Sequence, residues 1–121
     1  MIATGDAESR NYEQENSDRR VVKIREMILQ DPTHTVESLA GSLKLSVSHI
    51  QHKFKSHTGL CLREHIGEVR MSRAAHLLAT TDKQIKEIAD ELGYAHTSCF
   101  IRCFQQHHGM TPLQYRNSAQ Q

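Results

Sequence analysis

The feature that most restricts how this chain can fold is that it repeats itself. Residues 36–45 match residues 85–94 at an offset of 49, pairing Val36 with Ile85, Leu39 with Ile88, Ala40 with Ala89, Leu43 with Leu92 and Leu45 with Tyr94. One residue is then inserted. At the new offset of 50, Ser48 pairs with Ser98, Ile50 with Phe100, Phe54 with Phe104, His57 with His107 and Gly59 with Gly109. Retained apolar positions under changed polar ones mark a supersecondary unit used twice.

Each copy reads as two short helices across a tight turn. Ile85, Ile88, Ala89 and Leu92 form an apolar stripe at helical spacing, Gly93 supplies the turn, and Tyr94 packs back on the stripe. Phe100 and Phe104 form the next stripe, which Gly109 closes. This is the pattern of a helix-turn-helix. Its second helix leaves Thr97, Ser98, Ile101, Arg102 and Gln105 on the outer face, where side chains meet base edges in a major groove. The first copy offers Val47, Ser48, Gln51, His52 and Lys55 instead, without an arginine or a large aromatic, which makes it the weaker reader.

The remaining segments organise around these copies. A first helix spans Arg19 to Gln30 with Val21, Ile24, Met27 and Ile28 inward, and Asp31-Pro32 stops it. Thr35 and Ser46 are N-caps for the two helices of the first copy. Between the copies lies a long helix whose Ile66, Val69, Met71, Ala74, Ala75, Leu77 and Leu78 cover a wide arc, as expected of a helix clamped on two sides. Thr81 with Gln84 is expected to form a capping box opening the next helix, and Thr111-Pro112 opens the last, through Arg116. The expectation is an all-α chain with an acidic, disordered tail at 1–18. A first helix-turn-helix subdomain at 19–61, a linker helix at 62–80 and a second subdomain at 81–118 follow.

Charge supports a nucleic-acid partner only once it is divided. The whole chain of 121 residues carries a net charge of +1. Residues 1–18 hold five acids and one base, leaving 14 bases and 9 acids in residues 19–121. The helical part is basic, the footprint expected of a DNA-binding surface. There is no apolar run of membrane-spanning length and no basic-then-apolar leader, so a cytoplasmic protein without a membrane partner is expected. Three cysteines without a short-spaced pair do not form a disulfide framework. His96, Cys99, Cys103 and His107 lie on one helix, but four ligands along a straight helix are too far apart to close a tetrahedral site. No metal or cofactor is expected, and the cysteines read as half-buried packing. No phosphate loop, paired carboxylates or nucleophile elbow points to an enzyme.

With these residues in hand, the chain resembles the AraC/XylS family of bacterial transcription regulators over residues 19–117. The resemblance is carried by IADELGYAHTSCFIRCFQQHHGMTPLQYR in the second copy and by VRMSRAAHLL in the linker. It implies seven helices, with two helix-turn-helix units in successive major grooves of one DNA face. It also implies activation through contact with RNA polymerase. Because the two copies differ outside, a monomer would read an asymmetric site of about two helical turns. Lys44 stands where the first turn often has glycine, and His65 where an aromatic is usual. There is no room for the effector domain most members carry, which matches either a small stand-alone regulator or the C-terminal part of a larger one.

Single residues carry finer expectations. Arg102 can bind guanine through two hydrogen bonds, and Gln51 can read adenine. Ser48, Thr97 and Ser98 serve equally as caps, phosphate ligands or base readers. Arg70 falls inside the apolar arc of the linker, where an ion pair with Glu91 or Glu87 would fix how the halves dock. Arg73, nearer the edge, is the better phosphate ligand. The rival class is a helical protein-interaction module, for which Arg102 and Gln51 would be dispensable.

Overall fold

The computed structural model describes residues 19–120. The expected tail at 1–18 lies outside them. Seven helices follow in order: α1 (residues 19–30), α2 (Val36–Leu43), α3 (Val47–Thr58), α4 (Leu62–Thr80), α5 (Ile85–Glu91), α6 (Thr97–His108) and α7 (Pro112–Ala119). The described residues contain no strand.

Local chemistry sets most of the boundaries. Thr35 accepts the Ser38 backbone N–H while the Ser38 hydroxyl accepts from Thr35 N–H, a reciprocal capping box at α2. Ser46 caps α3 through His49 N–H. Thr111 and Gln114 repeat the box at α7, where Pro112 takes the first helical position. Gly59 and Gly109 end α3 and α6 in the left-handed region, at φ 76° and 77°.

The box expected at Thr81 does not form. Thr81 is the C-cap of α4, its hydroxyl donating to Leu77 O at 2.6 Å, so α5 starts later behind Gln84, which makes no side-chain cap bond. A threonine beside an open helix end has carbonyls within reach, and here the last turn of α4 claims its hydroxyl.

The interior is two cores rather than one. Val21, Ile24, Ile28, Val36, Leu39, Ala40, Ile50, Phe54, Leu62 and Ile66 form the first. Met71, Ala74, Leu78, Ile88, Ala89, Leu92, Phe100 and Phe104 form the second. The long helix α4 serves both: its N-terminal half completes the first core and its C-terminal half begins the second. This explains the wide apolar arc.

The repeat also reaches further than the two helix-turn-helix pairs. At an offset of 50, Val21, Ile24 and Ile28 of α1 correspond to Met71, Ala74 and Leu78 of α4, and each is buried. At the same offset Leu62 of α4 corresponds to Pro112 of α7, both buried. Each unit is therefore four helices, and α4 is the last of one and the first of the next.

Candidate nucleic-acid interface

The outer residues of the two recognition helices correspond one to one. At an offset of 50, Val47, Ser48, Gln51, His52 and Lys55 on α3 match Thr97, Ser98, Ile101, Arg102 and Gln105 on α6. Buried Ile50 and Phe54, and Phe100 and Phe104 in the second unit, hold the opposite faces against the cores. The helical period then fixes which side chains look outward. Ser48, His52, Lys55, Ser98, Arg102 and Gln105 are exposed. Gln51 and Thr97 are half-buried, while Val47 and Ile101 lean on their cores.

Electrostatics favour a polyanion at both helices. Neither α3 nor α6 contains an acidic residue, whereas α2, α4 and α5 each carry one in their first turn. The positive ends of α3 and α6 are thus uncompensated by a carboxylate. Ser46 caps α3, and α6 follows His96 with no side-chain cap bond, so Ser48, Thr97 and Ser98 are not the N-caps.

The two turns share one backbone motif. Lys44 N–H bonds Gly41 O and Leu45 N–H bonds Ala40 O; in the second unit Gly93 N–H bonds Asp90 O and Tyr94 N–H bonds Ala89 O. Both are Schellman closures needing a left-handed residue, at φ 57° for Lys44 and 90° for Gly93. Space separates the two positions. A Cβ at Gly93 would stand 3.1 Å from Thr33 Cα, against the other unit.

Arg70 has different partners from those expected. Its Nε donates to Pro32 O at 2.7 Å and its Nη2 to His34 O at 3.2 Å, while its guanidinium lies over the Tyr94 ring at 5.3 Å. Glu91 pairs with Lys83 instead. The loop after α1 presents its carbonyls to α4, and the several N–H donors of one guanidinium reach two of them at once. Arg73 also takes a backbone carbonyl, its Nη2 closing the end of α1 on Leu29 O at 2.6 Å at the surface. Thr35 has its hydroxyl in the α2 cap. Two structural donors escaped the sequence reading: Arg116 of α7 and its C-cap Gln120 donate to Leu78 O at 3.2 and 3.1 Å, closing α4 as Arg73 closes α1. Their only signal was a run of helix-end carbonyls in need of donors.

The cysteines separate on inspection. Cys99 is exposed, not half-buried as expected, and Cys103 is half-buried. Burial and the neighbouring Cys99 push the Cys103 thiol up. Among the described residues no group of three or more His, Cys, Asp or Glu side chains is placed to hold a metal ion. Among them, too, no helix is long and apolar enough to cross a membrane.

Comparison with known proteins places this geometry. A family model described as a helix-turn-helix domain matches residues 39–118. The Msm operon regulatory protein of Streptococcus mutans is 32% identical over 85 residues, covering 70% of this chain and 31% of that protein. The chain spans between 7% and 39% of the length of the curated relatives it matches. The C-terminal domain of the response regulator yesN from Fusobacterium nucleatum superposes with a TM-score of 0.73 at 31% identity, covering 84% of this chain and 98% of that domain. The DNA-binding domain of AdpA, solved in complex with a target DNA, shares the fold at 24% identity and a TM-score of 0.74, covering 81% of this chain and 90% of its own. With two helix-turn-helix units hung on one shared helix and this family match across most of its length, the chain belongs to the AraC-type helix-turn-helix family of DNA-binding transcription regulators.

Proposed function

We propose that the protein binds an asymmetric duplex of about two turns as a monomer, setting α3 and α6 into successive major grooves, and activates transcription there. The observation that carries this reading is the pair of acid-free helices presenting corresponding outer residues from one body. Phosphate contacts set the register, Arg102 reads guanine, and the α3 surface grips with less sequence preference. Contact with RNA polymerase and a place on the nucleoid in the bacterial cytoplasm complete the proposal. A DNA complex of the AdpA domain and the regulatory name of the S. mutans relative support it.

The test is selection of bound duplexes from a random pool, repeated across salt. Two unlike half-elements about 10 base pairs apart and a steep salt dependence are expected. A consensus covering one half only would remove α3 as a reader, and no enrichment would point to a protein-interaction module. A second reading is favoured by the greater length of the relatives: the chain as the DNA-binding part of a longer, effector-responsive regulator. An immunoblot sizing the native polypeptide separates the two.

A further inference from the structure

The two cores share no buried residue, so something other than apolar packing must hold the recognition helices at a fixed separation. Three features do so. One is the backbone of α4, which runs between Ile66 of the first core and Met71 of the second. A second is the close approach of Gly93 to Thr33. The third is Arg70, on α4 between the cores. It donates to Pro32 O and His34 O in the first unit and covers the Tyr94 ring in the second.

We infer that Arg70 is a positioning residue that sets the half-site spacing the protein accepts, without touching DNA itself. The inference rests on the two-groove docking proposed above. One helix alone is a hinge: bending α4 by a few degrees moves α6 relative to α3. Arg70 closes that hinge from the side, because its planar fork ties a loop of one unit to a ring of the other. Each added base pair shifts a half-element by about 3.4 Å and turns it by roughly 35°. A rigid pair cannot follow that step, whereas a hinged pair can.

The experiment is a titration of the full chain against its selected duplex and against duplexes with one base pair inserted or removed between the half-elements. For the unaltered protein, each change should cost about tenfold or more in affinity, since the second unit loses its intramolecular advantage. In Arg70→Ala the spacing penalty should shrink to about threefold or less, with an unchanged affinity for a duplex holding only the second half-element. Arg70→Lys keeps the charge and stem but loses the fork, and should shift in the same direction while folding as the parent does. Retention of the full penalty in both variants overturns the inference. Equal loss of affinity on the whole site and on the isolated half-element also overturns it, because Arg70 would then be a DNA contact or a general prop. If the unaltered protein ignores spacing, the two-groove reading itself falls and takes the inference with it. That outcome is recognised before any variant is measured.

Discussion

His65 stands against Phe54 with ring centroids 5.2 Å apart, in the place that Tyr115 holds against Phe104 at 5.5 Å in the second unit. The imidazole Nε2 is buried there without a hydrogen-bond partner among the described residues. Burial first, and the Arg25 charge second, hold this histidine below its usual range. With the folded value depressed, its stability is complete above the ordinary value of about 6.5. It is lost as pH falls from there through the folded value, since the unfolded chain takes the proton first. Urea midpoints should fall between pH 7.5 and 5, and His65→Phe should flatten that fall. Removing the unpaired buried nitrogen should also add about 1 kcal/mol at neutral pH.

Lys44 holds a left-handed backbone at φ 57° where Gly93 serves the second turn. A side chain there costs roughly 1–2 kcal/mol, partly offset by the extra freedom glycine has when unfolded. Lys44→Gly should therefore raise stability by about 0.5–1 kcal/mol in a denaturant titration. Gly93→Ala should go the other way and by more, because strain and the approach to Thr33 add.

The start of α5 is uncapped, yet Glu87 already lies three residues after Gln84. Gln84→Ser should complete a capping box with Glu87 and stabilise the second unit by up to about 1 kcal/mol. Amide exchange confined to α5 would locate the gain.

On the outer face, Arg102→Ala should weaken binding to the selected site by roughly 10- to 100-fold and relax one base position. A change uniform across sequences, with the salt slope reduced by about one, would make Arg102 a phosphate contact instead. Gln51→Ala, at a half-buried position, should cost less than Arg102→Ala in the same titration.

Much of this architecture was legible because repetition and capping are local. The 49 and 50 residue offsets located both helix-turn-helix units, and Ser46, Thr35 and Thr111 announced their helices. Helical period placed Ser48, His52, Lys55, Ser98, Arg102 and Gln105 on the exposed faces of α3 and α6, but not the half-buried setting of Val47, Gln51, Thr97 and Ile101, which lie at the edge of each face. Thr81 misled because a hydroxyl can turn back onto the helix it follows as readily as forward onto the next. Arg70 misled more instructively. Its apolar setting announced a buried partner, but sequence shows carboxylates and hides backbone carbonyls, so Pro32 and His34 could not be nominated. The alignment of α1 with α4 is hidden from sequence because Ile24 corresponds to Ala74, a pair whose likeness lies in burial rather than in size.

The sharing of α4 by both units has a consequence for how such a chain can change over generations. One residue gained or lost between Ile66 and Met71 would turn everything downstream by about 100° and carry it about 1.5 Å along the axis, facing one reading head away from the duplex. Length can drift only where no helix carries it forward. The two repeats differ in length before the recognition helices at two connections: the one into the helix-turn-helix, residues 31–35 against 81–84, and the turn within it, where the offset passes from 49 to 50. In lineages descended from this duplication, insertions should gather in such connections, while the middle of the shared helix stays closed to them.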